Sequence, residues 1–219
     1  MEFTEEELRE FAAQLSHPKG EKGIEVGESM RLNNAEMISR TIGSLQLSAD
    51  ARILELGHGN GYHISDLLEQ TRGLHYTGLE ISDLMHAEAQ KAVRDAGLES
   101  KAEFHRYAGD TLPFGNELFE AVMTINTLYF WKNPPGTILE MYRVLKPGGR
   151  AYITFGQEAF MAPMPFTRYG FQLYDTPKAR ALLNEVSWKS IRFEDHRDQI
   201  ELGTNEFMHR EFTIAIAEK

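Results

Sequence analysis

Cysteine is absent from the 219 residues, which excludes a disulfide framework, a thiolate metal site and a cysteine nucleophile. The eight histidines are scattered without H-E-x-x-H or similar ligand spacing, so no metal is expected. No apolar run reaches the roughly 18–20 residues that span a bilayer, so no membrane span is expected either. The N-terminus is acidic and polar, unlike a signal peptide, and a cytoplasmic location is the default expectation. Positive charge is scarce: 23 Lys and Arg stand against 33 Asp and Glu, a net charge of −10. A broad phosphate-binding face runs on Lys and Arg, so nucleic acid is not the expected partner. What remains is ordinary for one globular domain, 42% hydrophobic and 26% charged.

Thr4 with Glu7 forms a capping-box signature, and Leu8, Phe11, Ala12 and Leu15 follow at helical spacing. His17-Pro18-Lys19-Gly20 breaks that helix. From Gly20 to Asn34 three glycines and no clear period predict a loop, placed to act as a lid. A second helix is predicted from Asn34, with Ile38, Ile42 and Leu45 on one face. Residues 1–49 thus read as a helical N-terminal cap on a single domain, 1–219.

From residue 51 apolar strands alternate with helical stretches: Arg52–Leu56, His75–Leu79, Ala102–Tyr107, Ala121–Ile125 and Ala151–Phe155. Ser82 is placed to cap the helix after the second strand, and Pro147-Gly148-Gly149 to stop the helix after the fourth. Repeated βα units predict a mostly parallel sheet with helices on both faces. After Phe155 the proline-broken Met161–Phe166 stretch cannot be a central strand. A helix near Lys178–Glu185 and two strand-like runs, Lys189–Phe193 and Arg210–Ala217, predict an antiparallel hairpin at the sheet edge.

The most informative stretch is Ile53-Leu54-Glu55-Leu56-Gly57-His58-Gly59-Asn60-Gly61, with Glu80 19 positions past the last glycine. A G-x-G-x-G turn lets the backbone approach a ligand where a Cβ would collide. It also aims helix N-terminal amides at negative charge. A later acid suits a ribose diol, so the pattern points to a nucleoside-containing cofactor. A tight turn joining strand to helix has the same letters. A dinucleotide fingerprint, G-x-G-x-x-G, would need glycine where Tyr62 stands. The glycine turn, Glu80, Asp110 and Asn126 all fall at predicted carboxyl ends of strands, where such sheets bind ligands.

That turn, preceded by Glu55, resembles the first motif of the class I S-adenosylmethionine-dependent methyltransferases. Four more stretches match in order: Tyr76–Met85, Ala108–Phe114, Phe119–Met123 and Arg143–Arg150. The flanks, including His17–Gly20, Asn33-Asn34-Ala35 and Asn126–Trp131, resemble the bacterial UbiE/type 11 group. The resemblance implies a Rossmann-like, mostly parallel seven-stranded sheet. It makes residues 50–156 the cofactor-binding core and 157–219 a substrate-side insertion with C-terminal strands. S-adenosyl-L-methionine is the implied cofactor.

Carried over by position, Gly57, Gly59 and Gly61, with His58 and Asn60 in the same turn, would line the methionine part and sugar. Glu55 would accept from the ammonium and Glu80 from the ribose hydroxyls. Ile81 and Leu112 would sandwich the adenine. Asp110 and the Thr111 amide would address its edge, beside Gly109. Met85, Asn126 and Thr127 complete the implied cofactor set. His58 on its own reads as an exposed loop histidine. His63 and Tyr129 are the candidate catalytic groups. Tyr129 and Trp131 could wall an acceptor pocket, with Tyr169 closing it and Arg168 holding an anionic group.

Methyl transfer from a sulfonium demands alignment more than acid–base groups, so the lack of a catalytic dyad does not count against it. The expected function is transfer to a small-molecule acceptor. A non-catalytic S-adenosylmethionine-binding module and, less well matched, a nicotinamide-dependent oxidoreductase are the alternatives. Homodimerisation stays open.

Overall fold

The computed structural model describes residues 3–109, 111–201 and 207–219. Seven strands form one sheet: β1 (Arg52–Leu56), β2 (His75–Glu80), β3 (Ala102–Arg106), β4 (Phe119–Ile125), β5 (Leu145–Gly156), β6 (Ser190–Glu201) and β7 (Phe207–Glu218). Their order is β3-β2-β1-β4-β5-β7-β6. β1 to β5 run parallel; β7 is antiparallel to both β5 and β6. The fold is the expected Rossmann-like one, with an antiparallel hairpin at the C-terminal edge and a helical start.

The helices are α1 (Glu5–Ser16), α2 (Gly20–Asn33), α3 (Ala35–Ser44), α4 (Ile64–Leu68), α5 (Asp83–Asp95), α6 (Pro134–Val144), α7 (Glu158–Met161) and α8 (Thr176–Leu183). Strand side chains alternate between faces, and two cores follow. Leu54, Leu56, Val122, Ile153 and Phe155 meet α6 and α8 on one face. Ile53, Ala121, Met123, Tyr152 and Ile214 meet α3, α4 and α5 on the other. The sheet is therefore buried on both sides, which explains strands read as nearly continuous apolar runs.

Two expectations are corrected. Residues 20–33 form α2, not a loop. Glycine counts as a helix breaker, but here it serves packing. A Cβ on Gly23 would lie 2.8 Å from Leu84 Cδ2, and one on Gly27 would lie 2.9 Å from Met85 Cε, so two glycines one turn apart let α2 close on α5. Pro147-Gly148-Gly149 does not stop a helix, because α6 has already ended at Val144. It forms a bulge at the start of β5, where pairing jumps from Phe119–Leu145 to Ala121–Arg150 and Gly148 has φ +77°. The Thr4–Glu7 capping box and the Ser82 cap are present as expected.

Candidate functional site

Strand order reverses direction at β1, whose neighbours are β2 and β4. A crevice opens beyond the carboxyl ends of strands at such a point. Here a cavity of about 860 Å³ occupies it, with α2 and α3 forming its far wall.

The glycine turn leaves β1 with Gly57, Gly59 and Gly61 all in the left-handed region, φ +74°, +57° and +71°. Among the described residues nothing lies within 4 Å of where a Cβ on Gly59 would stand, so the turn faces the cavity with bare backbone. Gly61 faces the opposite way. A Cβ there would lie 2.7 Å from Ala89 Cβ and 3.0 Å from its Cα. Gly61→Ala should therefore push α4 off α5 and also strain a backbone at φ +71°, at a combined cost of about 2–4 kcal/mol, measured by urea denaturation; an unchanged midpoint would refute the close contact.

Glu80 ends β2 and is buried. Its Oε1 accepts from the amides of Ile81 (2.7 Å) and Ser82 (2.9 Å), and its Oε2 from Gly59 (3.0 Å). Burial pushes its carboxyl up, and the three amides pull it back only in part. This one side chain ties the glycine turn to the start of α5.

Glu55, near the end of β1, is buried as well. Tyr76 donates to its Oε2 at 2.6 Å, and His63 Nε2 meets the same oxygen at 2.8 Å. Burial raises the Glu55 carboxyl, but the His63 charge and the two hydrogen bonds outweigh it, and the net direction is down. Burial opposes charge on His63, Glu55 opposes burial, and the imidazole is held above its ordinary value. Both donors fall on Oε2, and Glu55 lines the cavity.

His58 departs from the exposed-loop reading: it is 3% exposed. Its Nδ1 lies 2.8 Å from Gly59 O, its ring meets Phe104 edge-on at 5.1 Å, and Nε2 has no partner among the described residues. Burial pushes its pKa down to about 4. Because the folded value lies below the unfolded one, the unfolded chain binds the proton first as pH falls. His58 therefore removes stability between pH 6.5 and about 4, at up to about 1.4 kcal/mol per pH unit. His63 acts in a separate window, since its contribution is lost only as pH rises through its raised value. Urea midpoints across pH should show His58→Asn flattening the acid limb alone; an unchanged acid limb would refute the assignment.

Of the other expected residues, Asn60, Ile81, Met85, Gly109, Asn126, Thr127, Trp131 and His63 line the cavity. Thr111 and Leu112 do not: Thr111 is exposed, while Leu112 is buried against α6 with its amide donating to Glu140 at 2.9 Å. Asp110 lies outside the described residues. Tyr129 lies behind the cavity wall, its hydroxyl between Asn126 Oδ1 (2.9 Å) and Gly156 N (2.5 Å). Burial raises its phenol. Tyr169 sits under Arg9 of α1, at 4.4 Å, and Arg168 is exposed beside it, so neither is brought to the cavity. Sequence reading missed Met30, Arg31 and Asn34 as lining residues. The only signal for Asn34 was the Asn33-Asn34-Ala35 resemblance.

Residues 54–153 match the methyltransferase-domain family. YdaC of Bacillus subtilis, described as an uncharacterized methyltransferase, is 28% identical over 77% of this chain and 92% of its own length. The chain belongs to the class I S-adenosylmethionine-dependent methyltransferases. Demethylmenaquinone methyltransferase of Clavibacter sepedonicus is 31% identical over 70% of this chain and 59% of its own. The crystal structure of an S-adenosylmethionine-dependent methyltransferase from Methanosarcina mazei is 25% identical, covers 79% of this chain and 94% of that one, and superposes with a TM-score of 0.61. S-adenosylmethionine is accordingly the cofactor of this methyltransferase. Among the described residues no helix is long and apolar enough to cross a membrane.

Proposed function

We propose that this methyltransferase acts on a small-molecule acceptor by in-line transfer within the cavity. The observation that carries the reading is continuity. One volume of about 860 Å³ joins the glycine turn and Glu80 to an apolar wall of Ile38, Ile42, Phe130 and Trp131. That is near the top of the roughly 300–1,000 Å³ range of single-ligand pockets, which suits a cofactor and an acceptor side by side.

S-adenosylmethionine, when bound, supplies a methyl group on a sulfonium whose positive charge is lost as the methyl moves. The chain's own residues hold and align. The acceptor site left on Oε2 of Glu80, whose Oε1 already receives two amides, takes a hydroxyl of the ribose diol in a charge-assisted contact. Oε1 of Glu55 accepts from the methionine ammonium. Ile81 covers the adenine. The apolar wall orients the acceptor and excludes water. His63 is a positioning group here: its Nε2 is engaged by Glu55, the carboxylate assigned to the ammonium. The net charge of −10 favours a small molecule over nucleic acid, as does the acceptor in the name of the Clavibacter relative.

Calorimetric titration with S-adenosylmethionine and S-adenosylhomocysteine, with NADH and NADPH as controls, tests the site. Micromolar binding of the first pair alone is expected, and binding of a nicotinamide alone would overturn it. Labelled-methyl transfer to a panel of apolar acceptors then tests turnover. Cofactor binding with transfer to none would favour the non-catalytic alternative.

A further inference from the structure

Asparagine is among the commonest N-caps, and Asn34 stands at the N-cap of α3, yet its side chain makes no capping bond. It turns to the end of β4 instead. Its Oδ1 accepts from Asn126 Nδ2 at 2.9 Å and from Arg210 Nη1 at 3.4 Å. Arg210, on β7, is 4% exposed and anchored on Asp198 of β6 through Nε (3.0 Å) and Nη2 (2.5 Å). Asn126 Oδ1 accepts from the Tyr129 hydroxyl at 2.9 Å, whose oxygen accepts from Gly156 N–H at 2.5 Å.

Amide orientation is ordinarily an assignment made from the surrounding bonds. Here one end dictates the rest. A guanidinium only donates, so the Asn34 atom facing Arg210 is oxygen. Asn126 must then present its NH₂ to that oxygen, and its own oxygen must face a donating Tyr129. The directed chain joins the β6–β7 hairpin, the joint between α2 and α3, the end of β4 and β5. At its centre Asn126 has φ +57° and lines the cavity. A non-glycine residue in that region persists only where its surroundings over-determine it.

We infer that Asn34 is a positioning residue for methyl transfer: its one side-chain oxygen holds Asn126 in the left-handed conformation and so sets the floor of the cavity. The inference rests on the cavity being the transfer site proposed above. Asn34 also fixes the end of α2, whose Gly27 carbonyl accepts from Asn60 of the glycine turn at 3.4 Å, so cofactor affinity should register its loss.

The test uses two isosteric changes that alter polarity and one truncation. Asn34→Asp keeps the accepting oxygen, Asn34→Ala removes it, and Asn126→Asp keeps shape but replaces a donor by an acceptor facing Asn34. Asn34→Asp should bind S-adenosylhomocysteine within about twofold of the parent, while Asn34→Ala and Asn126→Asp should each bind about tenfold more weakly, the scale of one lost hydrogen bond. Amide exchange over residues 124–131 should accelerate in the same two variants and not in Asn34→Asp. A merely steric role would leave both Asp variants alike, which would overturn the inference, as would unchanged affinity and exchange in Asn34→Ala. Exchange needs no ligand. A parent that failed to bind S-adenosylhomocysteine would thus defeat the transfer-site reading, while exchange alone would still decide whether Asn34 holds Asn126.

Discussion

Glu80→Ala should weaken S-adenosylhomocysteine binding by about 3 kcal/mol, roughly a hundredfold, at the upper end of a hydrogen bond to a charged group. The ribose contact alone would place the loss lower in that range. Glu80, however, also receives the amides of Gly59, Ile81 and Ser82. Alanine strips the ligand of a partner and frees the turn that presents Gly59. Glu80→Gln provides an intermediate case, since its one carbonyl can keep the Ile81 and Ser82 amides while its NH₂ faces Gly59 and the charge that strengthens the diol contact is lost. It should fall between parent and alanine. Titration calorimetry on variants shown to be folded checks both, and parental affinity in Glu80→Ala would sink the ribose assignment.

Arg210→Ala should destabilise the fold by about 3–5 kcal/mol, the usual cost of breaking a buried ion pair by removing one partner. Arg210 and Asp198 face each other across β7 and β6 with side chains only 5% and 9% exposed. The loss comes mainly from the Asp198 carboxylate left buried beside little water. Arg210→Leu combined with Asp198→Leu should recover much of it, because an apolar pair carries no desolvation cost. Denaturant midpoints check this. A loss under about 1 kcal/mol for Arg210→Ala would mean the pair behaves like an exposed one.

The sheet was legible because doubly buried strands leave continuous apolar runs, and β1 matches its expected limits of Arg52 and Leu56. Glu80 was legible from spacing, since β2 and the turn before it fix where the acid falls. α2 was not, because glycines that admit a neighbouring helix look the same in sequence as glycines that break one. The burial of His58 depends on what another strand leaves room for, which no local pattern records. Arg168 and Tyr169 were assigned by chain position, and position does not give side-chain direction: Tyr169 packs on α1. Asn34 and Arg210 lie 176 positions apart, and only the fold brings them together.

The ring of His58 occupies space that β2 provides by having glycine at position 78. A Cβ on Gly78 would stand 2.6 Å from His58 Cδ2. The two positions, twenty apart in the chain, thus share a single volume and should be inherited as a unit. Relatives with a side chain at 78 should carry a small residue at 58. In a library that varies both, functional clones should be rich in the two compensated combinations and poor in the one that fills the space twice.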